Sequence, residues 1–325
     1  MELSTAGGLI DTASMGRTLI HEHVFVMTTE VQANFKTDWD ESKNVADAIA
    51  KLTALKDAGI DTIADPTVIG LGRYIPRIVD IAKQVDINII VATGVYTYGD
   101  VPRYFSLRGP FLPGIDAPDP MVDMFVADIT DGIGDTGVRA AFLKCAIDEP
   151  GMTPGVERVL RAVARAHLRT GAPVMVHTHP GTHRGLEVHE VLTDEGVDPK
   201  SVCLAHSGDS GDADHLSELA EHGYLLGMDR FGVNVYRPFE ERVGMVAELI
   251  RRGYGDRMAL AHDASCYFDW VDPSFLAAAP DWNFRHISKD VLPRLRELGV
   301  AEEQIDTLLV DNPRRWFETS GDHEP

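Results

Sequence analysis

Cysteine is scarce. Cys145, Cys203 and Cys266 are the only three in 325 residues, an odd number at no metal-finger spacing. That excludes a disulfide scaffold and fits reduced, buried thiols, two of them in the apolar runs FLKCAI and VCLAH. Positive charge is scarce too: 30 Lys+Arg against 51 Asp+Glu leave a formal charge of −21. A field of that sign repels polyphosphate, so nucleic acid and anionic membranes are poor partners. Long hydrophobic runs are missing, since INIIVA (87–92) is far short of a membrane span. The start, MELSTAGGLIDTASMG, has neither the basic residues nor the apolar stretch of a secretory signal. No low-complexity segment or Pro/Gly-rich linker divides the chain. The expectation is a cytoplasmic protein with one domain over residues 1–325, its last residues (about 319–325) a flexible tail.

What the sequence does contain is an alternation. Short aliphatic segments, bounded by Gly, Pro, Asp or Ser, lie at 18–26, 61–68, 87–97, 140–148, 173–179, 201–209, 224–231 and 257–265. Such segments suit strands buried on both faces. Helical patterns separate them at 45–59, 75–85, 155–171, 185–196, 212–223 and 237–253. The pattern at 155–171 follows Thr153-Pro154, a cap and first-turn proline, and stops at Gly171. Further helices are expected after the longer 98–134 segment begins with its loop RGPFLPGIDAPDP, and at 288–299 and 301–318. The stretch 265–286 reads as irregular. Eight strand–helix units imply eight parallel strands, because each crossover needs a helix. The fold class is therefore α/β, a (β/α)8 TIM barrel. An open doubly wound sheet is the alternative, but the first strand is followed by HEHVFVMTTE rather than by a Gly-rich phosphate loop.

In a barrel the C-terminal strand ends form the active site. His21 and His23 sit two apart in the first strand, so alternation aims both into the mouth and turns Glu22 outward. His177 closes the fifth strand, His206 the sixth and Asp263 the eighth. Lys144 lies inside the fourth among apolar neighbours, where an unpaired ammonium is costly. Four histidines, an aspartate and a lysine at the ends of five strands suit divalent cations. The alternative is a set of satisfied core polar residues with no metal.

The segments GRTLIHEHVFV (16–26), DPTVIGLGR (65–73), ATGVYTY (92–98), FLKCAIDEPG (142–151), HSGD (206–209), GMDRFG (227–232) and HDASCYFDW (262–270) resemble the phosphotriesterase family of the amidohydrolase superfamily. Within it they are most similar to the phosphotriesterase-like lactonases, in particular actinobacterial enzymes that open N-acyl homoserine lactones. The match runs in order from about residue 7 to 318. The resemblance implies a carbamylated Lys144 bridging two divalent metal ions: zinc first, with cobalt, iron or manganese accepted by the same ligands. His21, His23 and Asp263 would complete the more buried ion, and His177 and His206 the more exposed one, with a hydroxide shared between them. In that mechanism Tyr96 adds a phenolic hydrogen bond to the developing oxyanion, and Asp263 carries a proton to the leaving alkoxide. A homodimer is implied as well.

The same resemblance places Arg230, Ser265 and Cys266 around the substrate, although Arg230 equally fits an ion pair at the barrel rim; Tyr98 and Trp270 suit the walls of a channel for a ligand's ring and acyl tail, with plain packing as the alternative. Strand 7 reads as followed at once by a helix, GVNVYRPFEERV, whereas the loop after strand 8, CYFDWVDPSFLAAAPDW (266–282), is long and apolar. That contrast favours a lactonase acting on N-acyl homoserine lactones (quorum quenching) or other hydrophobic lactones, with side activity on organophosphates. The enzymatic alternative is a true phosphotriesterase, and the non-enzymatic one a relative that only binds metal.

Overall fold

Eight short parallel strands wrap around a barrel and helices pack outside them. The structure, a computed structural model, describes residues 1–110 and 117–319. The strands are β1 (Thr18–Leu19), β2 (Thr62–Asp65), β3 (Asn88–Gly94), β4 (Phe142–Ile147), β5 (Val174–Thr178), β6 (Val202–Ala205), β7 (Leu225–Asp229) and β8 (Met258–Ala261). Each pairs in parallel with its sequence neighbours, from β1 round to β8. Every residue of β4 through β8 is buried, which is why these segments read as continuous aliphatic runs instead of alternating ones. All eight fall inside the segments expected from sequence, trimmed by one to several residues at the ends.

The ring closes between β1 and β8. The Ile20 N–H donates to the Leu260 carbonyl at 3.3 Å, and the Asp263 N–H to the His21 carbonyl at 3.1 Å. β1 is broken where sequence suggested a continuous strand over 18–26. After residues 20–22 the chain resumes as His23–Val26, paired in parallel with Ser265–Phe268. The stretch after β8, expected to be irregular, therefore contains a strand, and also a short helix, Pro273–Ala278.

The outer helices are α1 (Glu41–Asp57), α2 (Ile75–Ala82), α3 (Pro120–Thr130), α4 (Pro154–Thr170), α5 (Arg184–Asp194), α6 (Ala213–His222) and α7 (Phe239–Arg251). In α4 the Thr153 side chain accepts from the Val156 N–H, Pro154 occupies the first turn, and Gly171 ends the helix at φ 73°, as its start and stop signals required. α7 begins later than expected. Residues 232–238 form a loop, because Pro238 holds an extended backbone (φ −56°, ψ 147°) at the helix N-terminus. The last two helical stretches carry π-turns at Ile287–Val291 and Thr307–Asp311. An antiparallel hairpin, Glu2–Thr5 with Gly8–Asp11, bonds through the Ala6 N–H to Ile89 at the start of β3, 2.8 Å. Residues 111–116, within the expected loop RGPFLPGIDAPDP, and all of the expected C-terminal tail but Thr319, lie outside the described residues. No described helix is long and apolar enough to cross a membrane.

Candidate metal centre

At the C-terminal end of the barrel the expected ligands converge. The His21 and His23 Nε2 atoms lie 3.2 and 3.3 Å from Asp263 Oδ1. His206 Nε2 lies 2.8 Å from His177 Nδ1. His21, His206 and Asp263 each place a donor atom within 4.8 Å of the others. Lys144 Nζ opens on the same cavity, is buried, and has no hydrogen-bond partner among the described residues. The β3–β4 crossing at that point needs Gly94, since a Cβ there would strike the Lys144 carbonyl.

Each imidazole presents one nitrogen inward because its other nitrogen is taken. His21 Nδ1 and His206 Nδ1 each bond Asp229 at 2.8 Å. His23 Nδ1 bonds Thr67 Oγ1 at 2.7 Å, and that hydroxyl in turn donates to Asp65 at 2.5 Å. His177 Nε2 bonds Asp148 at 2.5 Å. These partners orient the rings, so that Nε2 of His21, His23 and His206 and Nδ1 of His177 are the nitrogens turned to the cavity. Asp229 also accepts from the His206 backbone N–H at 2.6 Å and is wholly buried.

The electrostatics agree with a site built for cations. Burial drives His177 down to about 3 despite its bond to Asp148, and His206 well below the imidazole range; both stay neutral and able to ligate. At His23 burial opposes the charge, yet hydrogen bonds to Asp263 and Asp65 raise it to about 9. The carboxylates around that ring demand positive charge, which a proton or a divalent cation supplies. Asp263 is held well below the usual carboxylate range: burial pushes it up, but His21, His23 and His206 outweigh that. Burial lowers Lys144 to about 8. A partnerless buried amine beside inward imidazoles and an ionised aspartate makes a donor set that fits divalent cations.

Backbone strain collects in the same place. Among the described residues, four other than glycine have left-handed φ: His183, His206, Arg230 and Asp263. The last three face this cavity. Such conformations persist where the surroundings over-determine them.

A family model for the phosphotriesterase family matches residues 1–317. The chain belongs to the phosphotriesterase family. A phosphotriesterase homology protein of Mycobacterium tuberculosis is 56% identical over 325 residues, with 99% of each chain covered. An aryldialkylphosphatase of Saccharolobus solfataricus is 36% identical, over 95% of this chain and 96% of its own. The solved structure of the phosphotriesterase from Mycobacterium tuberculosis superposes with a TM-score of 0.96, covering 98% of this chain and 99% of the other. This phosphotriesterase-family chain is thus a metal-dependent hydrolase on a TIM barrel.

The remaining expected residues divide. Tyr96 and Tyr98 line the cavity and their hydroxyls bond each other; the Tyr96 hydroxyl also lies 3.2 Å from His177 Nδ1. Burial raises Tyr96 well above 10 and Tyr98 to about 12, so both remain phenols. Arg230 lines the cavity and also forms rim ion pairs: Nε reaches Asp263 Oδ2 at 3.1 Å and Nη1 reaches Asp209 at 2.9 Å. Trp270 sits at the mouth, its ring 5.9 Å from that of Tyr96. Ser265 faces the cavity, but Cys266 does not line it. Being next along the strand it turns to the opposite side, where its carbonyl accepts from Lys51 at 2.7 Å. Glu22, expected to point outward, is fully buried across the β1–β8 seam. Asp229, Asp148, Asp65 and Glu22 were all missed. The available signal was an acid ending or interrupting an apolar run, which when buried must find donors.

Proposed function

We propose that the protein opens hydrophobic lactones, N-acyl homoserine lactones first among them, with weaker hydrolysis of organophosphates. The observation that carries this is the cavity above the ligands, about 240 Å³, whose floor is the histidine–aspartate–lysine cluster and whose upper wall is apolar. Val26, Leu71, Val233, Phe268, Trp270 and Phe275 form that wall, suited to an acyl chain entering tail outward. His21, His23, Asp263 and Lys144 would hold one cation, and His177, His206 and the same Lys144, as a carbamate, the other. When bound, two divalent ions there supply an activated water and polarise the substrate carbonyl.

The chain's own groups then act at defined atoms. As the carbonyl carbon is attacked and its oxygen becomes anionic, the Tyr96 hydroxyl donates to that oxygen, a role open to it because burial keeps the phenol protonated. Asp263 takes the nucleophile's proton and delivers it to the ring oxygen as the ester C–O bond breaks, leaving a hydroxy acid. Arg230 holds Oδ2 of that carboxylate in place. The aromatic residues at the mouth exclude bulk water, which strengthens each of these interactions. Tyr96→Phe is expected to lower kcat by up to about 10²-fold with full metal content by elemental analysis; unchanged turnover would remove Tyr96 from the reaction.

Phosphotriester hydrolysis as the main activity is the second reading. The 36% identical aryldialkylphosphatase supports it. One preparation loaded with zinc, cobalt or manganese separates the two: kcat/KM is measured on lactones of increasing acyl length and on paraoxon. The expected result is a higher value on lactones, rising with chain length to an optimum. Higher efficiency on paraoxon, or none on any lactone, would overturn it.

A further inference from the structure

The residue between the two histidines of the first strand carries the strongest unassigned feature. The Glu22 N–H is used by the Ala64 carbonyl of β2 at 3.0 Å, and its side chain runs the other way, across the seam where β1 meets β8. There Oε1 accepts from the His262 backbone N–H and from His262 Nδ1, both at 2.7 Å, and Oε2 accepts from the Ala264 N–H at 3.0 Å. The two amides flank Asp263. His262 Nε2 accepts from the Ile287 N–H at 2.9 Å, so Nδ1 is the ring nitrogen that donates to Glu22. Glu22 thus meets three donors with its two carboxyl oxygens.

The other polar groups of this tripeptide are also occupied. The Asp263 N–H donates to the His21 carbonyl at 3.1 Å, and the Ala264 carbonyl accepts from the His23 N–H at 2.8 Å. Trp282 Nε1 donates to the carbonyls of His262 and Asp263 at 2.9 and 3.1 Å. All six main-chain polar groups of residues 262–264 are satisfied, two of them by one carboxylate. Asp263 itself is held at φ 55°, a left-handed conformation that a free chain rarely adopts at a residue other than glycine.

We infer that Glu22 is a positioning residue for the metal centre: it clamps both neighbours of Asp263, so that the Asp263 carboxylate stands against His21 and His23 before any ion arrives. The ladder cannot do this alone, because the seam is irregular at 20–22 and 262–264. A side chain replaces the missing strand bonds, and it lies in the same three residues as two of the ligands. The inference rests on the reading of His21, His23 and Asp263 as metal ligands.

The test compares metal-free wild type with Glu22→Gln. The amide keeps the shape but turns one acceptor into a donor, which must face either the Ala264 N–H or the two His262 donors. Both proteins are titrated with Co²⁺, recording affinity and the visible ligand-field absorption. The variant is expected to bind 10–100-fold more weakly, the effect typical of losing a group that orients a ligand, with altered band positions. Equal affinity and an unchanged spectrum would overturn the inference, and so would a lowered Tm with unchanged affinity, which marks a merely structural role. Should the variant not fold, His262→Phe removes one of the three donors. Weaker Co²⁺ binding by it supports the clamp, and binding equal to wild type overturns it. Failure of wild type to bind Co²⁺ at all would instead sink the ligand reading itself.

Discussion

Replacing Lys144 with methionine is expected to abolish activity while making the metal-free protein more stable. The amine is buried with no partner among the described residues, and burial lowers it from 10.5 to about 8. A shift of that size corresponds to about 3 kcal/mol against the folded state whenever the group is charged in both states, at pH below about 8. Between pH 8 and 10.5 the unfolded chain binds more protons than the folded one, so stability rises with pH across that window. Lys144→Met fills similar space without charge, so it should remove both the penalty and the slope; denaturant unfolding of the metal-free forms at pH 7 and pH 10 measures this. Function moves the other way. Turnover should fall by more than about 10³-fold, beyond the loss of a single stabilising donor, and elemental analysis should find the metals depleted. The proposed carbamate on Lys144 would add a kinetic signature. Only the neutral amine reacts with carbon dioxide, and burial raises its neutral fraction near pH 7 by roughly 300-fold over a solvated lysine. Metal uptake by wild type should therefore quicken with added bicarbonate and with pH up to about 8. A methionine variant that keeps metal and turnover would show Lys144 to be a plain buried amine.

How much of this was legible beforehand depended on whether a feature is local. Strands buried on both faces must be aliphatic throughout, so β4 to β8 announced themselves as runs, and a polar residue closing such a run marks the barrel mouth. That rule found His177, His206 and Asp263, and Lys144 stood out as the charge no apolar strand should hold. The groups that orient the ligands were not legible, because their meaning lies in partners far along the chain. Asp229 joins His21 to His206, and nothing in GMDRFG names either histidine. Glu22 was misplaced for a specific reason. Two-residue alternation assumes a regular strand with solvent or helix behind it, but at the closure the face turned from the mouth looks into the next strand. Cys266 failed through the same periodicity, since resemblance placed the segment correctly but not the side each residue faces. The delayed start of α7 turns on Pro238, whose effect reaches back over a loop that brings Val233 and Tyr236 to the cavity.

The three site residues in left-handed conformations lie next to carboxylates that hold them: the His206 amide on Asp229, the Arg230 guanidinium on Asp209 and Asp263, and the amides flanking Asp263 on Glu22. An acidic chain thereby uses buried acid to build a site that attracts cations. The Asp209 carboxylate shows the economy of the arrangement, since it also accepts from the buried Arg242 at 2.5 Å, fixing Arg230 from behind.

Asp263→Asn probes where that network meets the chemistry. Asparagine keeps the size and one oxygen, so Oδ1 can still face His21 and His23, and metal affinity should drop by about 10–100-fold rather than vanish. The amide nitrogen, however, would sit at the Oδ2 position, 3.1 Å from Arg230 Nε in the native site, donor against donor. Arg230 must then release Asp263 while Asp209 still holds it. With saturating metal, kcat should fall by about 10³–10⁴-fold, because the proton acceptor is gone and the charge opposite the imidazoles is lost with it. Arg230→Met separates the two contributions. It leaves the carboxylate intact and removes only its orientation, so a loss of about tenfold is expected, near the effect of deleting one charge-assisted hydrogen bond. Kinetics of both variants at saturating metal, beside metal titrations, decide the matter. If Asp263→Asn retains turnover within tenfold of wild type at full occupancy, proton transfer to the leaving group belongs to another residue. If Arg230→Met is as damaged as Asp263→Asn, the guanidinium takes part in the reaction itself, and the orienting role assigned to it is wrong.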